Sequence, residues 1–486
     1  MSEVNSPMSK TKVIEIEPLT RVEGHGKVSI HLDDNNQVHD ARLHIVEFRG
    51  FERFIRGRPY WEAPMIVQRL CGICPVSHNL AAAKAMDQIV GAPRLTPTAE
   101  KIRRLTHYGQ IMQSHVLHFF HLCAPDLLFG FDADASMRNV FALINLKPDL
   151  AMQAVRMRKF GQEVIRATSG KKIHGACAIP GGVNKNLSIP ERDALLKDMD
   201  QMKKWAQGAL VIARDYTLEN LSMIERFATF SSSYLALVRE DGALDLYHGA
   251  LRAMDGGGNL IFDQADYRNY GDFIMEEVKP WSYMKFPFIK MRGRIDGWYR
   301  VGPLARLNCS GYIDTPEAAK ALVEFKSLTG GRPNHMTLAY HWARMVEVIH
   351  CVEKIGELLN DPDLQGEDLA VKGDRAEEGI GVIEAPRGTL IHHYRVDEND
   401  LITYCNLIVS TTNNNEAINR AITSVAKSHL SGAPRITDGM LNHIEVAVRA
   451  YDPCLSCATH ALGQMPLIVE VFDTSGVLIE SRTREK

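Results

Sequence analysis

Residues 69–78 read Arg-Leu-Cys-Gly-Ile-Cys-Pro-Val-Ser-His, and residues 452–460 read Asp-Pro-Cys-Leu-Ser-Cys-Ala-Thr-His. Each stretch carries two cysteines three positions apart, Cys71 with Cys74 and Cys454 with Cys457. On a helix or tight turn, side chains at that spacing share a face. Two such pairs facing each other make a four-thiolate cage, and soft thiolates select zinc, copper(I), iron–sulfur or nickel-type centres over magnesium or calcium. Zinc ribbons usually place their pairs about 15–20 residues apart in one small module. Here the pairs sit near opposite ends of a 486-residue chain, so a cage would tie those ends together. On spacing alone, a structural zinc site with four cysteine ligands is the plain alternative.

The rest of the chain reads as a soluble globular protein. Nine cysteines, an odd count, and no apolar segment after the N-terminal MSEVNSPMSKTK argue against a disulfide framework and a secretory signal. A cytoplasmic, reducing location is expected. No stretch approaches about 18 uninterrupted apolar residues, so no membrane span is expected. The longest candidate, 116–131, contains His118, His121 and Asp126 and reads as a buried helix and its exit. A net charge of -3 gives no reason to expect nucleic acid as a partner.

Val28, Ile30 and Leu32 alternate with polar residues, the turn 33–36 follows, and Leu43 and Ile45 alternate again, which predicts a β-meander over about 12–48. From 61 to about 227 the pattern is helical, as in the breaker-free NLAAAKAMDQIV at 79–90. A long helix is predicted over 336–359, with Leu338, Trp342, Met345 and Ile349 on one stripe. Residues 255–300 read as irregular. Strands return at 379–396 and 401–412, helices follow at 416–430 and 438–450, and 466–482 reads as a hairpin turning at 473–476. The expected fold class is α+β: a helix-dominated core bundle with small β-sheets from the N-terminal and C-terminal parts of the chain. His115, His118 and His121 fall on one helical face and read as packed histidines rather than metal ligands.

Six motifs in order, TRVEGH (20–25), RGFE (49–52), RLCGICPVSH (69–78), GPLAR (302–306), EAPRG (384–388) and DPCLSCATH (452–460), resemble those of nickel–iron hydrogenase large subunits and span nearly the whole chain. DPCLSCATHALGQMPL (452–467) and WSYMKFP (281–287) are most similar to the cytoplasmic NAD-reducing, bidirectional type. The resemblance implies one catalytic domain over 1–460. It makes 461–486 a removable extension, cut after His460 by a dedicated endopeptidase once maturation factors have delivered nickel. It places nickel on all four cysteines, Cys71 and Cys454 as terminal ligands. Cys74 and Cys457 would bridge to an iron carrying CO and cyanide.

The same resemblance assigns the surroundings. Cys454 and Glu23 would be the first proton carriers in heterolytic H2 cleavage. Arg387 would lie over the open metal position in an electrostatic role, since guanidinium does not readily lose a proton, with Asp452 as its ion partner. Pro386-Arg387 and Ser410-Thr411 would supply donors to cyanide. His78 would hydrogen-bond a bridging sulfur. Glu52, the Leu407 carbonyl and His460 would hold magnesium. Two departures stand out. The family pattern has His-Asp-His where this chain has Gln113-Ser114-His115, which removes an acid from the roof of the site. Many relatives have Pro-Ser at the cyanide position where Ser410-Thr411 stands, and proline lacks an N–H.

No GxGxxG follows a strand and no GxxxxGK[ST] is present, and 255–259 reads as a turn. NAD, FMN and iron–sulfur clusters are therefore expected on partners: a small iron–sulfur hydrogenase subunit, with diaphorase-type subunits completing a hetero-oligomer. The competing enzymatic reading is a related hydrogenase serving a deazaflavin or ferredoxin. The quinone-reducing respiratory relatives lack the four cysteines.

Overall fold

The apolar alternation near the N-terminus builds three antiparallel strands, β1 (Lys12–Ile16), β2 (Gly26–Leu32) and β3 (Val38–Ile45), in the order β1-β2-β3. Val28, Ile30, Leu43 and Ile45 are fully buried on their inner face. In this computed structural model, residues 12–48, 50–458, 467–472 and 478–484 are described.

Long helices follow: α1 (Pro75–Ile89), α2 (Pro97–Leu117), α3 (Pro148–Ser169), α4 (Met199–Glu219) and α5 (Tyr340–Leu359). Thr96 caps α2, its side chain accepting from Ala99 N–H at 3.2 Å, with Pro97 in the first turn. Helix α2 packs between α3 and α5, and α5 also packs on α4. The expected stripe on α5 is buried. After Leu117 the helix loosens into a π turn over His118–Cys123.

The second half supplies a three-stranded antiparallel sheet, β4 (Glu378–Ala385), β5 (Gly388–Val396) and β6 (Ile402–Ile408), then α6 (Asn415–Leu430) and α7 (Asp438–Ala450). Helix α6 packs on β3, where Asn419 Oδ1 accepts from the Leu43 N–H at 2.8 Å. One contact positions the functional region. A Cβ on Gly379 would lie 2.0 Å from the Ala85 carbonyl oxygen, and one on Gly381 would lie 2.0 Å from that of Ala81. The alanine face of α1 therefore rests directly on the backbone of β4, an approach only glycine permits. Following β4 forward means following α1 back to its first turn, so the β4–β5 turn arrives beside Cys74.

The segment 255–300, expected to be irregular, is not. Leu260–Ala265 and Tyr299–Arg300 join Ser233–Val238 and Ala250–Met254 in a four-stranded sheet, and Ile274–Glu277 pairs with Phe286–Ile289. These strands are short, Ser233–Val238 and Phe286–Ile289 are buried on both faces, and the Ala250–Met254 ladder with Leu260–Ala265 shifts register, so alternation is hard to read outside Ala250–Met254. Leu467–Phe472 pairs with Leu478–Arg484 in the expected hairpin, whose turn lies outside the described residues. Among the described residues no helix is long and apolar enough to cross a membrane.

Candidate metal centre

Cys71 and Cys74 flank a tight turn ahead of α1, and Cys454 and Cys457 bracket the start of the helix Leu455–Ala458. All four are buried, unbridged thiols, with sulfurs within 4.8 Å of one another. Cys71 Sγ lies 3.2 Å from Cys454 Sγ, Cys74 Sγ 3.6 Å from Cys457 Sγ, and Cys454 Sγ 2.8 Å from Cys457 Sγ. Backbone N–H groups of Ile73 and Cys74 point at Cys71 Sγ, at 3.2 and 3.4 Å. Hydrogen bonding from Cys454 and its two neighbours pulls the Cys71 thiol well below its ordinary range, while burial pushes Cys454 and Cys457 well above theirs. A soft cation that binds such thiols displaces their protons. Four converging sulfurs fit such a metal.

The N-terminal loop closes on the last motif. Glu23 O accepts from Leu455 N–H at 2.9 Å, and Glu23 Oε2 accepts from Cys454 Sγ at 2.9 Å and Ser456 N–H at 3.1 Å. The contact joins residues 431 positions apart in sequence.

Arg387 and Pro386 form the two-residue β4–β5 turn, Ala385 pairing with Gly388. Arg387 donates from Nε to the Asp452 carbonyl at 2.6 Å and from Nη2 to Asp452 Oδ1 at 3.0 Å. Burial opposes its charge, but Asp452 and the cysteine sulfurs outweigh it and hold the guanidinium protonated. Burial pushes the Asp452 carboxyl up, opposed by Arg387 and Arg344. Arg387 Nη1 is buried and has no partner, and neither has the Ser114 hydroxyl. Among the described residues, the side-chain hydrogen bonds of Arg387 go to Asp452 alone. Gln113 does different work: it and Gln110 donate to the Ile73 carbonyl at 2.9 and 2.8 Å, steadying the first cysteine turn.

A small cavity beside the sulfurs is lined by Cys74, His78, Pro386, Arg387, Ser410 and Thr411. Ser410 Oγ donates to the Gly388 carbonyl at 2.6 Å, whereas Thr411 Oγ1 accepts from Cys454 N–H at 2.9 Å and keeps its own proton for another acceptor. His78 Nε2 lies 3.4 Å from Cys457 Sγ. Behind it, His78 Nδ1 meets His392 Nε2 at 3.2 Å, and His392 Nδ1 meets the Tyr394 hydroxyl at 2.8 Å. A single tautomer set, with Tyr394 and both Nε2–H groups donating, satisfies this row.

Glu52 and Leu407 also meet, though through the Leu407 amide, which donates to Glu52 Oε1 at 2.9 Å. His460 lies outside the described residues. Sequence reading missed the neighbours: Lys285 Nζ sits 3.4 Å from Glu52 Oε1, 3.2 Å from Glu276 Oε2 and 3.0 Å from Asn406 Oδ1. Glu276 Oε1 is buried without a partner, and burial raises its carboxyl. The Lys285 ammonium thus already supplies a positive charge to these two carboxylates and the amide oxygen, and a hard cation beside it would draw on the unpartnered Glu276 Oε1.

The three helical histidines part company. His115 Nε2 pairs with Glu347 Oε2 at 2.8 Å, His118 Nε2 contacts the Arg449 carbonyl at 2.7 Å, and His121 leaves Nδ1 unpartnered. His118, Cys123 and His341 do converge. Burial lowers His118, and Arg344 and Arg387 lower it further by like charge, which disfavours a cation there.

Two more motif residues, given no role from sequence, build the scaffold. Arg306 donates from Nε and Nη2 to the two oxygens of Glu347, both at 2.6 Å, and from Nη1 to Glu384 Oε2 and the Ala385 carbonyl, both at 2.9 Å. Its Nη2 also reaches the Pro386 carbonyl at 3.3 Å. Glu384 Oε1 accepts from Leu237 N–H and Thr389 Oγ1, each at 2.8 Å. Gly302, at φ 92°, packs so close that a Cβ would lie 2.8 Å from the Arg387 carbonyl oxygen.

With this geometry in view, the comparisons are direct. The chain matches the nickel-dependent hydrogenase family over residues 49–135 and 238–460, and the HoxL-like family over 13–48. It belongs to the nickel–iron hydrogenase large subunits, the catalytic chains of hydrogenases. It is 51% identical to the NAD-reducing hydrogenase HoxS subunit beta of Cupriavidus necator, over 98% of this chain and 100% of that one. It is 43% identical to a chain of the F420-non-reducing hydrogenase of Methanothermobacter thermautotrophicus, over 96% and 99%. Among solved structures, an NAD+-reducing [NiFe]-hydrogenase in the H2-reduced state superposes with a TM-score of 0.91 at 56% identity, covering 93% of this chain and all of that one.

Proposed function

We propose that this hydrogenase subunit works in the cytoplasm in an NAD-reducing complex, cleaving H2 heterolytically and reversibly. Its electrons leave through a partner iron–sulfur subunit, then pass over flavin-bearing, diaphorase-type subunits to NAD. The observation that carries the reading is the meeting of four buried thiols from opposite ends of the chain, with Glu23 bonded to one of them and Arg387 beside them. The 51% identity to a subunit named for NAD reduction supports the acceptor.

On this reading Cys71, Cys74, Cys454 and Cys457 hold nickel, and Cys74 and Cys457 also hold an iron bearing CO and cyanide. Bound there, the metal pair supplies the Lewis acidity and redox capacity for H–H cleavage. The chain supplies the rest. Cys454 Sγ takes up the proton and Glu23 Oε2 carries it away over a contact already formed. Ser456 N–H steadies the Glu23 carboxylate. Arg387 keeps its proton and would act beside the metals as a fixed cation, with Nη1 left unpartnered by the chain. Arg387 and the Thr411 hydroxyl would supply hydrogen-bond donors to cyanide on such an iron, with Pro386 and Ser410 shaping the cavity. His78 donates to the Cys457 sulfur. Glu52, the Leu407 carbonyl and His460 bind magnesium, with Glu276 alongside. The working domain is 1–460; 461–486 is removed after His460 by an endopeptidase once maturation factors have loaded nickel.

The test is to purify the chain with its partners from a host able to mature it, then measure nickel, iron, zinc and H2-dependent NAD+ reduction. Nickel and iron in this subunit with NAD+ reduction are expected. Zinc alone in a chain trimmed at His460 would refute the centre. Viologen reduction by H2 without NAD+ reduction would move the acceptor to a deazaflavin or ferredoxin.

A further inference from the structure

The helix Val140–Leu146 and the first three turns of α3 form a bracket on the surface, joined at Lys147. Its inner side is conventional, with Ala142, Leu143, Ala151 and Ala154 buried. Its outer side is not. Phe141, Ile144, Leu146, Met152 and Val155 are 47–71% exposed, Phe141 the most. Phe141 and Ile144 lie three apart on one helix, Met152 and Val155 three apart on the next, so each pair shares a face. Contiguous exposed apolar side chains of this kind mark a docking surface rather than scattered surface residues.

The charge around them leans positive, with Asp149 in the first turn of α3 the exposed acid on the bracket. Lys147, Arg156 and Lys159 are exposed, Arg138 and Arg158 are half-buried, and none of the five forms an ion pair among the described residues. Arg138 Nε and Arg158 Nε are buried with no acceptor, and burial alone lowers the Arg158 guanidinium. Two turns further along α3, by contrast, Glu163 serves both Arg166 and Lys172. A half-buried, directional guanidinium without a carboxylate is a costly arrangement unless the carboxylate comes from outside. The whole bracket falls in the stretch 136–237 that the nickel-dependent hydrogenase match leaves uncovered.

We propose that this bracket docks another polypeptide of the hydrogenase complex, through a face whose apolar side chains are edged by aspartates or glutamates that pair with Arg158 and Arg138. The inference rests on the reading that the chain works with partner subunits. A polypeptide fits better than an anionic membrane, because fixed, planar donors select fixed carboxylates in two-point geometry.

The experiment uses the complete purified complex. A photoreactive benzoylphenylalanine placed at position 141 is expected to form an adduct with an acid-containing segment of another subunit. The double charge reversal R158E/K159E is expected to reduce the stoichiometry of that subunit several-fold at moderate salt. The thermal transition of the chain itself and its metal content should stay unchanged, because no residue of the bracket touches the metal centre; absence of viologen reduction by H2 in the unaltered complex would instead count against the hydrogenase reading. Self-adducts only, absence of any adduct to another subunit, or unaltered stoichiometry in R158E/K159E would overturn the proposal. So would cosedimentation with phosphatidylglycerol vesicles by the intact complex.

Discussion

Arg306 and Glu347 hold each other by two parallel hydrogen bonds of 2.6 Å inside a region where neither side chain meets solvent. The pair is more than a buried ion pair, because Arg306 spends its remaining donors on Glu384 and on the carbonyls of Ala385 and Pro386. It is the clamp on the turn that aims Arg387. Arg306→Met should cost about 3–5 kcal/mol, the usual consequence of stranding one buried partner. Activity should fall further than the loss of folded protein explains. Calorimetry and H2-dependent viologen reduction on the same preparations read both quantities; an unchanged melting temperature would remove the clamp.

Glu23→Gln keeps an oxygen for the Ser456 N–H but removes the group that can accept and release a proton. Turnover should drop by about 10²–10⁴, the usual range for a positioned acid–base group. Nickel and iron content should stay at wild-type levels. H/D exchange at full metal loading is the measurement, and an unimpaired exchange rate would end the role given to Glu23.

Gly302→Ala and Gly57→Ala form a matched pair. Both glycines have positive φ, 92° and 80°, yet a Cβ at 302 meets the Arg387 carbonyl at 2.8 Å and one at 57 meets nothing within 4 Å. Each should show backbone strain of about 1–3 kcal/mol. Only the 302 variant should also lose activity, since only there must Arg387 move. Equal activity losses in both would show that strain, not displacement, is the cause.

Acid should unfold the protein early. Burial lowers His107, His115 and His350 to about 4 and His341 to about 3, so all four are neutral in the fold at pH values where an unfolded chain already protonates them. Their contribution is complete above the ordinary value of 6.5 and is lost as pH falls through the window from 6.5 to about 4. Each fully responding group adds a slope of about 1.4 kcal/mol per pH unit. Chemical denaturation between about pH 7 and 4.5 tests this; a flat stability profile would contradict it.

Much of this was legible because spacing encodes it. Two Cys-x-x-Cys pairs announce a cage, and alternation at Val28, Ile30 and Leu32 announces a strand. What stayed hidden depends on long-range meetings. Glu276 looks like any surface carboxylate until Lys285 and Glu52 arrive beside it. The signal for Glu347 was present, a lone carboxylate within the largely apolar run 342–349, but its partner lies 41 positions away. His392 and Tyr394, two apart on β5, share a face and could have been paired from strand periodicity, though nothing local says that His78 completes the row. The strands between 233 and 300 escaped because they are short and because Ser233–Val238 and Phe286–Ile289, buried on both faces, carry no alternation.

The order in which the ligands appear along the chain also sets a schedule. A ribosome delivers Cys71 and Cys74 early and must add more than three hundred further residues before Cys454 and Cys457 emerge. For most of its synthesis the nascent protein is therefore half a vessel, with two thiols and no lid. A four-thiolate cage cannot close before Cys457 has been made, and a product terminated before Cys454 lacks the second pair of sulfurs. The arrangement works as a proofreading step: a metal that needs all four thiols goes only to chains that carry both pairs.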